Sequence, residues 1–210
     1  MKTIIDNIRN HSIIFGEPVF NEYTEISEER LQHVVKLIKS ELNELIDAET
    51  IDEQKDGCGD VLWTVLRAFM EYGFEAKCTE NNHNKRFIPF HESVNIISKY
   101  LHTIRNEKIR KEEIEYLLQG ILFHSLELFK PFQYDRGLIM EQVYKSNMSK
   151  LCKTEQEAKD TVKAYAEGTH PNKLGKVIIT HYEKAKEGFV VRRTSDNKYL
   201  KSINFVEPKF

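Results

Sequence analysis

The chain has no apolar run approaching the ~20 residues needed to cross a bilayer as a helix, which argues against a helical membrane protein. Its opening, Met1-Lys-Thr-Ile-Ile-Asp-Asn-Ile-Arg, is charged too early for a secretory signal. Cysteine is scarce: Cys58, Cys78 and Cys152 are an odd number and form no Cys-x-x-Cys pair, so neither a zinc site nor a disulfide framework is indicated. A reducing compartment fits that usage, and the expected location is cytoplasmic. Charge of one sign is also lacking: 31 basic and 33 acidic residues leave a formal charge of -2. A dedicated nucleic-acid binder would usually be basic. The histidines form no His-Glu-x-x-His pattern, and no Gly-rich phosphate loop of Walker or Rossmann type occurs. Internal repeats and low-complexity segments are absent as well.

What the chain does have is helical periodicity. With 210 residues, 40% of them apolar and 30% charged, it is long enough for one sizeable domain or a domain with an appendage. A short helix is expected over 1–12, followed by a loop marked by Gly16 and Pro18. Ser27 caps a long helix running to about Ala48. A second runs from about Asp52 to Tyr72 and stops at Gly73. After a polar stretch over 75–86, with a surface loop expected over 81–86 by composition, further helices are expected over 92–105, 111–129 and 135–152. Thr154 caps another over 155–167, ended by Gly168. From Pro171 the character changes. Lys176–Tyr182 and Phe189–Arg193 read as strands, Ser195-Asp-Asn-Lys198 as a turn, and Tyr199–Phe205 as a stretch that pairs back. The expected fold is mainly α: a helical bundle over 1–170, including a helical insertion at about 75–134, with a β-hairpin appendage over 171–210.

The candidate chemistry lies in Glu41-Leu-Asn-Glu44 and Asp56-Gly-Cys-Gly-Asp60. Spacings of three and four put each pair on one side of a helix. The short connection near Thr50 makes the two helices antiparallel, with Glu44 facing Asp56 in height and Glu41 facing Asp60. Carboxylates gathered in a small volume take up a proton or hold a cation, and all-oxygen donors favour magnesium first and manganese next. A solvated acidic face explains the same pattern equally well. Trp63 and Arg67 share the flank of Asp56 and Asp60. Cys58 has no basic neighbour to activate it and reads as a packing residue.

Four blocks, in order, then carry a resemblance: Phe15-Gly-Glu-Pro-Val19, Glu41-Leu-Asn-Glu-Leu45, Asp56-Gly-Cys-Gly-Asp-Val-Leu-Trp63 and Val143-Tyr-Lys-Ser-Asn-Met-Ser-Lys-Leu151. The tail Asp196-Asn-Lys-Tyr-Leu-Lys201 adds to them. Together they resemble the all-α nucleoside triphosphate pyrophosphohydrolases, in the MazG-like or phosphoribosyl-ATP-pyrophosphohydrolase-like branch. Two departures stand out. Gly57 occupies the place of a glutamate in the usual Glu-x-x-Asp, so that Asp56 is the inferred substitute, and Ser40 stands where a further glutamate is common.

The resemblance implies magnesium-dependent hydrolysis of a nucleoside triphosphate to the monophosphate and pyrophosphate, in nucleotide-pool housekeeping. Glu41, Glu44 and Asp60 would be metal ligands, and Asp56 a fourth ligand or the base that receives the water's proton. It also implies substrate contacts for Asn147 and Lys150, three apart at the end of a helix, and Trp63 is a candidate to stack on a base, although a core role is the commoner fate of such a ring. Lys198, Lys201 and Arg67 are lesser candidates. The apolar faces of the two acidic helices would be covered by a second subunit, making a homodimer, or by the inserted helices within one chain. A non-catalytic nucleotide- or metal-binding module and a structural interaction protein are the competing functions.

Overall fold

The computed structural model describes residues 1–77, 88–106, 109–132 and 136–210. Seven α-helices and one antiparallel pair of strands are present among them. The helices are α1 (Lys2–Ile14), α2 (Glu28–Ile46), α3 (Ile51–Tyr72), α4 (Phe90–Asn106), α5 (Lys111–Glu127), α6 (Arg136–Met148) and α7 (Glu155–Glu167); the strands are β1 (Thr180–Lys184) and β2 (Phe189–Arg193). This is the mainly helical architecture with a C-terminal hairpin that the sequence predicts. The surface loop expected at 81–86 lies outside the described residues. No helix among the described residues is long and apolar enough to cross a membrane.

The chain forms two compact units. The first comprises Met1–Arg9, Pro18–Glu141 and Phe210; the second comprises Asn10–Glu17 and Gln142–Lys209. The expected boundary at 170 therefore falls inside the second unit. The reason is apolar: Ala158 and Tyr165 of α7 share a buried cluster with Cys152 and Val191, with Tyr182 and Phe189 of the hairpin packed against it. The helix and the hairpin bury each other and do not separate into domain and appendage.

In the first unit α2 packs on α3 and on α4, α5 packs on α3 and on α4, and the four form a bundle. Helix α3 is its centre. Val61, Leu62, Val65, Leu66 and Phe69 are all buried, and so are most residues between them, as expected of a helix covered on several sides. Its ends are set locally. Thr50 accepts a hydrogen bond from the Glu53 backbone N–H at 3.2 Å, and the Glu53 carboxylate accepts from the Thr50 N–H at 2.8 Å, a reciprocal cap. Gly73 closes the other end in the left-handed region, φ 67°, where the carbonyl of Glu22 would leave no room for a side chain. Within this one chain α4 covers a face of α2, and α5 a face of α3.

The second unit is sealed where its two segments meet. Ile14 and Phe15 form a buried cluster with Val190, and Met148, Leu151 and Tyr199 pack against it. The Tyr199 hydroxyl donates to the Phe15 carbonyl at 2.7 Å. The expected strand at 176–182 begins only at Thr180: the Thr194 N–H still donates to the Ile179 carbonyl at 3.0 Å, but the Ile178 N–H donates to the Tyr165 carbonyl of α7 at 3.0 Å and so leaves the ladder. The expected return over 199–205 makes one bridge, Arg192 to Tyr199, and the Leu200 N–H donates to the Val191 carbonyl at 2.9 Å.

Candidate functional site

The four carboxylates sit on α2 and α3, and two contacts fix how those helices face each other. Near the open end of the pair, Arg30 grips the buried Glu71 with both arms of its guanidinium, the Nη2 bond measuring 2.9 Å. Near the turn, Leu45 meets Gly57 so closely that a Cβ on Gly57 would lie 2.9 Å from the Leu45 Cβ. The start of one helix thus lies beside the end of the other, and the pair is antiparallel.

That register places the acidic residues. Counted from the Leu45–Gly57 contact at ~100° per residue, Glu41 lies ~40° and Glu44 ~100° round α2, while Asp60 lies ~60° and Asp56 ~100° round α3, all in the same rotational sense. In an antiparallel pair, equal senses turn to the same side of the seam. In height, Glu41 is ~6 Å and Asp60 ~4.5 Å from that contact, both away from the turn. The backbone therefore carries Glu41 and Asp60 to one side of the helix pair at similar levels. Burial separates the set: Glu41, Asp56 and Asp60 are half-buried, whereas Glu44 is exposed.

Among the described residues, no three His, Cys, Asp or Glu side chains form a group ready to hold a metal ion. An all-protein cage is thus not what these helices present. Magnesium at a polyphosphate does not need one: it keeps several waters and takes one or two carboxylates plus substrate phosphate oxygens. Glu41 and Asp60, hard oxygen donors at one level on one side of the seam, fit that lesser requirement.

Gly57 has a reason of its own. Besides the Leu45 Cβ, a side chain there would meet the Leu45 Cδ1 at 2.9 Å and Cα at 3.0 Å. A glutamate has no space at this position; the adjacent acidic residue, Asp56, lies one residue earlier and turned ~100° away. Leu45 stands out in the sequence only as the last residue of the Glu41–Leu45 block, yet it sets this register. The glycine opposite it was the available signal.

The remaining candidates divide. Trp63 is 4% exposed, so its ring is packed within the protein and offers no open face to a base. Cys58 is fully buried, its Sγ 3.6 Å from the Leu128 carbonyl, and burial pushes its thiol far above the ordinary range, which makes it the packing residue expected. Arg67 is half-buried on α3.

Asn147 and Lys150 belong to the second unit. Helix α6 ends at Met148, four residues short of the expected limit, so Lys150 lies beyond the helix and not on its face. Its Nζ nevertheless donates to the Asn147 Oδ1 at 2.6 Å, so the structure brings these two together. The serines of the same block have a structural task. Ser149 Oγ donates to the Ser146 carbonyl at 2.7 Å and accepts from the Val206 N–H at 2.9 Å, and the Ser202 hydroxyl donates to the Ser149 carbonyl at 2.8 Å. Block and tail co-occur because one pins the other. Lys201 is engaged within this unit, its Nζ 2.7 Å from Glu207, while Lys198 is exposed.

No family model matches the chain, and no solved structure matches it. A curated protein of Acanthamoeba polyphaga mimivirus, itself uncharacterized, is 27% identical over 225 residues that span 94% of this chain and 86% of that protein. The likeness thus extends over nearly the whole length of both chains and brings no assigned chemistry with it.

Proposed function

We propose that this protein is a magnesium-dependent nucleoside triphosphate pyrophosphohydrolase. The observation that carries the reading is the common level and common side of Glu41 and Asp60 across the α2–α3 seam, set by the Leu45–Gly57 contact. The ordered sequence blocks described above support it independently. Glu41 and Asp60, with Asp56, would hold the ion; when bound, it would neutralise phosphate oxygens that four carboxylates otherwise repel. The chain's own part is to present half-buried carboxylates on a rigid helix pair. A carboxylate there not used as a ligand is the natural acceptor for the attacking water's proton. Asn147 and Lys150 remain the resemblance's candidates for polar contacts to the substrate.

The deciding experiment is pyrophosphate release from a panel of canonical and modified triphosphates, with and without magnesium. Metal-dependent turnover that disappears in Glu41→Gln and Asp60→Asn, with folding intact, supports the proposal. The filling of the Gly57 position by Leu45 favours one second reading, a module that binds nucleotide and metal without turnover. It is recognised in the same assay by magnesium-dependent binding with no product. Absence of both binding and turnover would leave a structural protein.

A further inference from the structure

The face of α2 turned away from α3 carries a different chemistry. Gln32, Val35, Lys36, Lys39, Ser40 and Asn43 line a cleft of about 510 Å³, which Arg105 of α4 closes from the other side. These residues recur at helical spacing and lie roughly 80–180° from Leu45 round the helix, well away from Glu41. The cleft is within the size range of small-molecule sites, ~300–1,000 Å³. Its charge is one-sided: three cations, three neutral polar groups, one valine and no carboxylate.

Several cations elsewhere in the chain are paired: Arg30 with Glu71, Lys55 with Asp52, Lys130 with Glu127, Lys159 with Glu155, Arg192 with Glu183. Among the described residues no ion pair engages Lys36, Lys39 or Arg105. The wall is also held in place, since Gln32 Nε2 donates to the Arg105 carbonyl at 3.0 Å and ties the end of α4 to α2. Three uncompensated positive charges around one concave surface raise the local potential and concentrate anions there. Amide and hydroxyl groups beside them supply the neutral donors that a phosphate oxygen accepts from.

We propose that the α2–α4 cleft binds a polyphosphate-bearing small molecule, either inorganic pyrophosphate or a nucleoside polyphosphate. This site is separate from the carboxylates, needs no divalent ion and does not depend on the hydrolase reading. The ammonium and guanidinium groups hold the phosphate oxygens, Ser40 and Asn43 add hydrogen bonds, and Val35 gives an apolar floor.

The test exploits the absence of metal. In EDTA, a carboxylate site repels a polyphosphate and the basic cleft does not. Calorimetric titration of the whole protein with pyrophosphate and with ATP, in EDTA at low salt, is expected to show saturable binding to the wild type. The double variant Lys36→Glu/Lys39→Glu is expected to weaken it at least tenfold, and Ser40→Glu and Arg105→Gln are each expected to weaken it severalfold. Lys173→Glu/Lys176→Glu, which makes the same change in net charge in the second unit, should leave it intact. Thermal unfolding of each variant checks that the fold is retained. The proposal is overturned if the wild type binds neither probe in EDTA, if both double variants lose binding equally, or if a single-stranded oligonucleotide binds the cleft more tightly than either probe.

Discussion

Leu45 and Gly57 stand so close that the next carbon on Gly57 would be 2.9 Å from the Leu45 Cβ and 3.0 Å from its Cα. Glycine inside a helix costs ~1 kcal/mol relative to alanine, so a glycine kept there offsets that cost through proximity. Gly57→Ala is expected to destabilise the protein by about 1–3 kcal/mol despite the better helix propensity, because the methyl group meets backbone. Leu45→Ala should not rescue it, since the Cβ and Cα that obstruct are both retained. Urea unfolding midpoints of the two single variants and the double variant check this; a stabilised Gly57→Ala would show that the helices separate freely.

The half-buried Glu41 and the exposed Glu44 should differ in their effect on turnover. Under the proposed function, Glu41→Gln lowers kcat by about 100-fold or more, the scale of removing an acid–base or electrostatic group from a reacting centre. Glu44→Gln, at the wet edge of the seam, lowers it by roughly tenfold or less, given the weakness of charges in water. Steady-state pyrophosphate release by the two variants at saturating magnesium measures the difference, and equal losses would contradict the ranking.

Acid should loosen the second unit through His170. This ring is fully buried, stacked on Tyr165 at 4.0 Å, and satisfied in its neutral form: Nε2–H donates to the Lys201 carbonyl at 3.0 Å and Nδ1 accepts from the Asn172 N–H at 3.3 Å. Burial, the largest cause, lowers its pKa below the ordinary 6.5. The unfolded chain then binds the proton more readily than the folded one. The stability due to neutral His170 is complete above pH 6.5 and is lost as pH falls from there through the folded value. Buried His124, also lowered chiefly by desolvation, acts in the same direction in the first unit. Unfolding midpoints between pH 8 and 5 should fall on the acid side, less steeply in His170→Gln, and a flat wild-type profile would refute the assignment.

Thiol chemistry gives a fourth test. Cys58 and Cys152 are fully buried, and burial raises both thiols, Cys152 to about 11. A Cys78→Ser protein should therefore resist iodoacetamide at pH 8 while folded and take up two labels once unfolded, as mass spectrometry would count. Rapid labelling of the folded protein would show that one of these sites opens.

What the sequence disclosed were features decided within a few residues. Ser27 and Thr154 cap α2 and α7, and Gly73 and Gly168 close α3 and α7 in the left-handed conformation, because caps and positive φ angles are local requirements. The antiparallel acidic pair followed from a short turn. Pairing across the chain was hidden. Val177 and Ile179 have strand-forming side chains, but the Ile178 N–H between them is taken by the Tyr165 carbonyl of α7, a partner far back in the chain. The end of α6 depends on Ser149 being claimed by the distant Val206 and Ser202. Nothing local marks Lys36 and Lys39, because the opposite wall of their cleft is Arg105, more than sixty residues on.

The bond from Tyr199 to the Phe15 carbonyl spans 184 positions of the chain. Ribosomal synthesis delivers Phe15 long before Tyr199, and the strap from Ser202 to Val206 that ties down Ser149 emerges later still. All of α2 to α5 is available to fold while the core of the second unit still lacks its final pieces. Arrival of Tyr199 and of the strap behind it, and not the appearance of any helix, completes the contacts that close this half of the protein.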